Sequence, residues 1–373
     1  MINLIFTLFV LTTLIACSQQ SEETLQLVHV FFRHGSRTPE FKHTYPTDIY
    51  KFEDFQPMGW GQLTNSGKQR AYQLGKLLRS KYDSFLGDIY TPELVEATST
   101  DYDRTKMSAL LVLAGLFPPA PSQTWNDNLS WLPIPYHFER NEYDYFIRRP
   151  TDYCPTYVTE LEKITELPEY KKVLNDYEEV LKHIEKSTQK PMRSLLDVFD
   201  IYQTLDAEMQ MNLTLPEWTR NVFPDPISFI VGQQCNFENY NSILKRLNGG
   251  RMLKIVIEHM KKKMNDELTP VGRKIYLYSG HENNVINILA ALNVFVPHVP
   301  NYSAAAIIEL HKLPETGEYV IKILYAKDVA AEPEVRQIPG CEILCNVNKF
   351  IEITKPHVPV NYTAECNSNV FLN

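Results

Sequence analysis

One short segment of the sequence places a histidine between two arginines. Arg33 and His34 directly follow the apolar run 25–32, and Arg37 comes soon after them. Because neighbouring positive charges disfavour a protonated imidazole, His34 is predicted to be neutral and therefore nucleophilic. Two guanidinium groups beside it suit a doubly charged oxyanion such as phosphate. The segment therefore predicts phosphate chemistry on a histidine.

Two later segments carry residues that could serve the same anion. Arg104 follows the stretch "LVEATST", and the pair His281 and Glu282 follows "KIYLYSG". Each has a structural alternative, since Arg104 could pair with Asp101 or Asp103, and Glu282 could cap the helix after it. Taken singly, none of these residues identifies a site.

The elements around these segments repeat one order, which is a strand, a loop with histidine, and a helix. A buried strand is predicted over 25–32, followed by a helix within 63–82 that Asn65 or Ser66 could cap. A second strand is predicted over Lys274–Gly280, followed by a helix over 285–295. Ligands of open α/β sheets gather at the carboxyl ends of strands, and helix N-termini attract anions. We therefore expect the two loops to meet.

The remaining chain suggests an insertion and a hairpin. Residues 119–240 lose clear strand patterns and carry amphipathic helical periodicity, so they are predicted to form a helical cap inserted into the α/β domain 19–118 and 241–373. Two strands joined by "PETG" predict a hairpin after residue 303. The tail from Arg336 is predicted to be irregular and held by cysteines.

The net charge and the amino-terminal segment indicate which partners the protein could bind and where in the cell it could be located. The net charge of −8 argues against a nucleic-acid partner, and the run Lys261–Lys263 is interpreted as a solvated helix face. Residues 1–18 are predicted to be a secretory signal cleaved after Ser18, although no Lys or Arg precedes the apolar run. The alternative is a bacterial lipoprotein box that makes Cys17 a lipid anchor. No other long apolar stretch follows, so no stable membrane anchor is expected.

Glycosylation sequons and cysteines favour an oxidising compartment. The sequons begin at Asn128, Asn212, Asn301 and Asn361. Removal of the signal leaves an odd number of cysteines, namely Cys154, Cys235, Cys341, Cys345 and Cys366. The spacing "CEILC" is suited to a small disulfide loop, whereas a zinc site would need a second close pair. No metal or cofactor is predicted.

Together the motifs resemble one family, the histidine acid phosphatases. "RHGSRTP" is similar to the first motif of that family, "STDYDRTKMSA" to its second arginine segment, and "SGHENN" to the place of its His-Asp pair. The resemblance spans about residues 25–350 and is most like the secreted insect members, including those of venoms. It implies a mixed central sheet flanked by helices, as in phosphoglycerate mutase-like histidine phosphatases, with an inserted helical cap.

The resemblance also implies a role for each residue. His34 would attack phosphorus, and Arg33, Arg37, Arg104 and His281 would hold the phosphoryl oxygens. Glu282 would protonate the leaving group, although the family usually has Asp at this position. Because glutamate is longer by one methylene, its placement decides how well it donates. The same resemblance implies disulfides Cys154–Cys366 and Cys341–Cys345 and leaves Cys235 free.

These expectations amount to a secreted acid phosphatase, active outside the cell or in acidic vesicles, that hydrolyses small phosphate monoesters through a phosphohistidine. One alternative is a phytase-like or lysophosphatidate-preferring phosphatase with the same catalytic centre. Another is a secreted phosphate-binding homologue or allergen with little activity, for which Glu282 is the motivation. Related vertebrate phosphatases form dimers, so a homodimer stays open.

Overall fold

The computed structural model describes residues 24–367. The predicted signal 1–18, with Cys17, lies outside the described residues. Within 24–367, no helix is both long and apolar enough to cross a membrane.

A mixed sheet forms the centre of the molecule. Its strands are β1 (Leu25–Arg33), β2 (Val95–Ser99), β3 (His137–Phe138), β4 (Ile275–Gly280), β5 (Ala305–Lys312), β6 (Tyr319–Ala326), β7 (Glu334–Arg336) and β8 (Cys345–Asn346). The spatial order is β3-β2-β4-β1-β5-β6-β7, with β8 paired to β6. Strands β3, β2, β4 and β1 are parallel, whereas β5 pairs antiparallel with β1 and with β6. The predicted mixed sheet and the β5–β6 hairpin are confirmed.

Helices flank this sheet and form the insertion. They are α1 (Asn65–Lys81), α2 (Asp83–Leu86), α3 (Asp103–Leu116), α4 (Pro155–Thr165), α5 (Pro168–Asp176), α6 (Glu178–Thr188), α7 (Leu195–Gln210), α8 (Ile227–Phe237), α9 (Ser242–Asn248), α10 (Gly250–Met264), α11 (Glu282–Ala291), α12 (Val347–Thr354) and α13 (Tyr362–Cys366). Short 3₁₀ turns lie at Phe41–His43, Phe52–Phe55, Pro121–Gln123, Pro150–Asp152, Glu217–Thr219 and Lys355–His357.

Strand β1 is buried on both faces, which explains its nearly continuous apolar run. Val30 and Phe32 pack in one cluster with side chains of α1 and α3. Leu27 and Phe31 pack in a second cluster with side chains of α10 and α11. Because successive side chains of a strand point to opposite faces, both sets must be apolar when helices cover both sides. This two-sided core fixes the strand that ends at Arg33.

The insertion has a core of its own. Helices α4 to α9 contribute most of a separate cluster of buried apolar side chains, including Ile184, Leu205 and Ile230. The helical part begins at Pro155, whereas the preceding stretch is mostly irregular and contributes β3 to the edge of the sheet. The helices fit the predicted cap, but the irregular start is less helical than expected. The boundaries 119–240 stay a prediction.

Three local predictions are wrong. Thr64, rather than Asn65 or Ser66, caps α1, because its side chain accepts a hydrogen bond from the Gly67 backbone N–H at 3.0 Å. Helix α11 starts at Glu282, several residues before the predicted start. The tail is not irregular, since it contains β8, α12 and α13.

Candidate active site

The loops that carry the predicted residues leave three adjacent parallel strands at their carboxyl ends. Strand β4 lies between β2 and β1, with Ser99 opposite Ser279 and Arg33 opposite Gly280. The backbone N–H of His34 donates to the Gly280 carbonyl at 2.9 Å, which extends this pairing into the loops. Parallel pairing therefore brings the segments after β1, β2 and β4 together.

The loop at His34 is held by a very close backbone contact with the start of α1. A Cβ atom on Gly35 would lie 2.1 Å from the Gly67 carbonyl oxygen, and one on Gly67 would lie 1.9 Å from that of Ser36. Side chains are thus excluded at both positions. The backbone N–H of Thr64 also donates to the Ser36 carbonyl at 3.0 Å. Glycine at these two positions lets the loop turn His34 away from the strand.

The hydrogen bonds of His34 define which ring nitrogen is available. Its Nδ1 lies 2.7 Å from the Gly35 carbonyl oxygen. A carbonyl can only accept, so Nδ1 must carry the proton. Nε2 is then unprotonated, and its lone pair accepts a hydrogen bond from Arg104 Nε at 3.1 Å. The unprotonated nitrogen therefore faces an arginine of the predicted phosphate cradle.

The electrostatic setting keeps this ring neutral. The side chain is buried, and burial is the largest cause that lowers the pKa of His34 well below its usual range. The positive charge of Arg104 lowers the pKa further, followed by His281, Arg33 and Arg37. The direction agrees with the sequence argument, which considered only the like charges. Neutral imidazole is the form that can act as a nucleophile.

Arg33 is fixed from several sides. Its Nη1 donates to the Pro300 carbonyl at 2.7 Å, and its guanidinium carbon lies 3.7 Å from the centre of the Tyr302 ring. Its Nε lies 3.4 Å from Glu282 Oε2. Nη2 is buried and has no hydrogen-bond partner among the described residues. The guanidinium is rigidly held and retains capacity to bind an anion.

Arg37 and Arg104 complete the group of cations around His34. Arg37 donates from Nη1 to the Thr38 carbonyl and from Nη2 to Gln203 Oε1, both at 2.9 Å. Arg104 Nη2 lies 2.8 Å from Glu40 Oε1. Gln203 belongs to α7, so this helix of the predicted cap region contacts Arg37 directly.

His281 lies next to His34. The centres of the two imidazole rings are 5.5 Å apart, and Nε2 of His281 lies 3.1 Å from Thr100 Oγ1. Burial and then the charge of Arg104 lower its pKa to about 3. The ring is therefore neutral, and it is close enough to share an anion with His34.

Glu282 is the first residue of α11 and faces the cradle. Its Oε1 accepts a hydrogen bond from Gln203 Nε2 at 3.2 Å. Burial alone would raise its pKa, but Arg33, His281 and Arg149 outweigh burial and lower the pKa to about 2. The family resemblance implied an acid that starts protonated, whereas Glu282 is ionised in this structure.

A cavity of about 180 Å³ joins these groups. Its lining includes His34, Arg37, Arg104, His281 and Glu282, and Arg33 reaches the group through its contact with Glu282. Five of the six predicted site residues thus line one cavity, and Arg33 contacts one of these five. The arrangement offers a neutral nucleophile, several fixed cations and a carboxyl group around one small space, which is what phosphoryl transfer requires.

Two residues of this site were missed by sequence reasoning. Glu40 directly follows the arginine-histidine motif, so its proximity in sequence could have indicated a role. Gln203 lies on a cap helix far away in the chain, and no sequence pattern marks it. Only the docking of α7 onto the cradle reveals its contacts with Arg37 and Glu282.

The other predicted positions lie outside the cavity. The structure contains the disulfides Cys154–Cys366 and Cys341–Cys345, and Cys235 is unpaired and buried. The four sequon asparagines, which are Asn128, Asn212, Asn301 and Asn361, are exposed. Exposure leaves each of them accessible for modification.

The chain matches known proteins over most of its length. The family model described as "Histidine phosphatase superfamily (branch 2)" matches residues 24–326. Venom acid phosphatase Acph-1 of Apis mellifera is 42% identical over 345 residues, which cover 92% of this chain and 88% of that protein. Prostatic acid phosphatase of Homo sapiens is 33% identical over 349 residues, which cover 92% and 88% of the two chains.

Solved structures show the same fold. The phytase from Citrobacter braakii superposes with a TM-score of 0.69 over 92% of this chain and 99% of its own, at 14% identity. Because this identity is low, the likeness concerns the fold alone. The two acid phosphatases, by contrast, are similar in sequence along nearly the whole chain.

Proposed function

We propose that this chain, which belongs to branch 2 of the histidine phosphatase superfamily, is a secreted acid phosphatase with His34 as its nucleophile. The family membership confirms the resemblance drawn from the motifs. The chain is a phosphate monoester hydrolase, in keeping with the acid phosphatases to which it is similar. The roles of individual residues and the secretion are the proposed parts.

One observation carries the choice of nucleophile. The Gly35 carbonyl holds the proton on Nδ1 of His34, and Nε2 therefore presents a lone pair toward the cationic group. In the proposed first step, Nε2 attacks phosphorus while the bond from phosphorus to the ester oxygen breaks. The alcohol leaves, and the phosphoryl group stays on His34. Water then attacks phosphorus, breaks the N–P bond and releases inorganic phosphate.

The cations would stabilise both steps. Arg33, Arg37 and Arg104 are proposed to bind the non-bridging phosphoryl oxygens, with His281 as a further donor. Support comes from their contacts with protein oxygens, since Arg33 donates to the Pro300 carbonyl, Arg37 to the Thr38 carbonyl, and Arg104 Nη1 lies 3.4 Å from the Gly61 carbonyl. The hydrogen bond from Arg104 Nε to His34 Nε2 is released when Nε2 attacks phosphorus. Fixed charges of this kind need no reorganisation during the reaction, which makes their electrostatic contribution large.

Glu282 is proposed to protonate the leaving oxygen, although it is ionised before substrate binds. A phosphate dianion beside Arg33 would offset the charge that now lowers the pKa of Glu282. Its pKa would then rise, so the carboxylate would take up a proton at acid pH before the ester bond breaks. This coupling gives an acidic pH optimum without a carboxyl group that is protonated from the start.

Secretion rests on the sequence and on two supporting features. Both disulfides suit an oxidising compartment, and the sequon asparagines are accessible. Activity in acidic vesicles is compatible with the same features. Residues 119–240 are proposed to act as the cap that shapes the substrate-binding side of the cavity.

The experiment that tests the reaction is capture of the phosphorylated intermediate. Wild-type protein should retain labelled phosphate after rapid mixing with a labelled substrate and quenching under conditions that preserve phosphohistidine. His34→Ala should retain none, and its thermal unfolding should match that of the wild type. Label that persists in His34→Ala would overturn the assignment of the nucleophile.

The alternative functions lack support of equal strength. Two further arginines that line the cavity are already paired, Arg148 with Asp152 at 3.0 Å and Arg149 with Glu238 at 3.3 Å. A polyphosphorylated substrate would have to compete with these carboxylates. A binding protein without turnover would show no burst of labelled product in the same capture experiment.

A further inference from the structure

Glu40 brings a carboxylate into the cationic group around His34. Its Oε1 lies 2.8 Å from Arg104 Nη2 and 3.7 Å from Arg37 Nε. The side chain is only 16% exposed, and it lines the cavity that contains His34. A negative group of the protein therefore lies beside two of the three arginines proposed to bind phosphate.

Glu40 has four basic ion-pair partners among residues 24–367. Besides the two arginines, Lys42 Nζ lies 3.3 Å and His43 Nε2 3.9 Å from Oε2. Glu40 precedes a 3₁₀ turn, but its side chain makes no capping hydrogen bond there. Burial would raise its pKa, yet Arg104 and then Arg37 outweigh burial and lower the pKa to about 2. The contacts of this carboxylate are those expected of a bound anion.

The arginines do not depend on Glu40 for their positions. Arg104 is also held by His34 at 3.1 Å and lies 3.4 Å from the Gly61 carbonyl. Arg37 is held by the Thr38 carbonyl and by Gln203. Because both guanidiniums have other attachments, the main effect of Glu40 is to add a negative charge where phosphate would bind.

We propose that Glu40 is an internal competitor of phosphate, which occupies donors of Arg37 and Arg104 between turnovers and weakens retention of the inorganic phosphate product. This inference rests on the proposed function, because it concerns the same cradle. A phosphate dianion must displace or approach the carboxylate of Glu40, and both cost free energy. Glu40 thereby limits product inhibition and favours substrates that gain further contacts through their leaving group.

Glu40→Gln tests the inference, since it keeps the size of the side chain and removes its charge. Inorganic phosphate should bind the full-length variant about tenfold more tightly, equivalent to about 1.4 kcal/mol. The measurements are titration calorimetry with inorganic phosphate and its inhibition constant against nitrophenyl phosphate, both at the same acid pH. Glu40→Ala should shift binding in the same direction.

Asp200→Asn is the matched control. Asp200 lines the same cavity, but its ion-pair partner is His43 Nδ1 at 2.8 Å rather than an arginine. The phosphate affinity of Asp200→Asn should stay within about twofold of the wild type, because the lost charge does not contact the arginines of the cradle. Thermal unfolding of all three variants verifies that they are folded.

The outcomes separate this inference from the proposed function. Unchanged or weaker phosphate binding in both Glu40 variants, with an active wild type, would overturn the competitor role alone. Equal tightening in Asp200→Asn would also overturn it, since the effect would then be one of general charge. A wild type that neither binds nor releases phosphate would overturn the proposed function and this inference together.

Discussion

Two buried acidic regions lie along helix α7, and the pKa of their glutamates is shifted in opposite directions. Near Gln203, the carboxyl group of Glu282 is buried among cations and its pKa is lowered to about 2. One and a half turns further on, Glu208 is fully buried beside Asp48, and its pKa is raised to about 9. The two glutamates share burial and differ in their charged neighbours.

The second region contains an acid pair without a guanidinium in contact. Burial is the largest cause that raises the pKa of Glu208, and the neighbouring charge of Asp48 raises it further. Burial raises the pKa of Asp48 as well, although the backbone N–H of Tyr50 and then the charge of Lys51 oppose this rise, so we assign the shared proton to Glu208. Two carboxylates cannot hydrogen-bond to each other, whereas a protonated Glu208 can donate to Asp48. The comparison teaches that burial raises the pKa of both glutamates, and that nearby cations decide which of the two is ionised.

Removal of the cation should make the first region behave like the second. In Arg33→Gln, Glu282 loses the largest influence that lowers its pKa, so the pKa should rise. The kcat/KM for nitrophenyl phosphate should fall about 10³-fold, because a fixed charge on the transferring group is lost. Infrared titration should detect a carboxylic acid band at acid pH that disappears in Arg33→Gln/Glu282→Gln.

The control for this variant is Arg79→Gln. Arg79 pairs with Asp83 and lies outside the cavity, so activity should stay unchanged. If Glu282 stayed ionised at acid pH without Arg33, the contrast between the two regions would have another cause.

The proposed proton donor of the first region can be removed without changing Arg33. Glu282→Gln cannot donate a proton, so turnover of alkyl phosphates should fall about 10²- to 10⁴-fold. Nitrophenyl phosphate should be affected less, because its leaving group needs little protonation. The decline of kcat with rising pH that reports the protonated carboxyl group should also be absent. Equal slowing of both substrates would contradict the proposed donor role.

The second region should affect the pH dependence of the free energy of unfolding and leave catalytic activity unchanged. In the folded protein the pKa of Glu208 is about 9, well above the value of about 4.3 expected for an unfolded chain. The unfolded state therefore loses this proton first, and the free energy of unfolding decreases as pH rises between these values. Glu208→Gln keeps a donor toward Asp48 and titrates in neither state.

This variant should be about 1–2 kcal/mol more stable than the wild type at mildly alkaline pH and little different in acid. Denaturant unfolding across pH measures the difference. Glu53→Gln, an exposed acid in the same loop region, should leave the pH dependence unchanged. A gain for Glu208→Gln that is equal at all pH values would contradict a shared proton.

Much of the fold and of the site was predictable because it is encoded locally. The apolar run before Arg33 and the one before Gly280 predict two buried strands, and a histidine follows each of them. The rule that ligands gather at carboxyl ends of strands then predicts that the loops meet. The structure brings Arg104 and His281 to His34 in agreement with that expectation.

What was not predictable depends on contacts between distant segments. The contacts of Gln203 arise because α7 packs beside Glu282, and the raised pKa of Glu208 arises because it is buried together with Asp48 from a distant segment. The ionised state of Glu282 likewise depends first on Arg33, which is distant in sequence, and then on its neighbour His281. Such charge states need three-dimensional distances, which periodicity and motifs do not contain.

The backbone pairing of β1 with β4 has a consequence for how this molecule can change. Arg33 is opposite Gly280, so the relative position of His34 and His281 is set by hydrogen bonds between the neighbouring strands β1 and β4. From the long intervening chain, Thr100 and Arg104 contact the two imidazoles, and β2 pairs with β4. Segments inserted, shortened or exchanged elsewhere between the strands should leave the two imidazoles in place, provided that these contacts and the core on both faces of the sheet are kept. The scaffold thus separates what must stay constant for chemistry from what is free to diversify for choice of substrate.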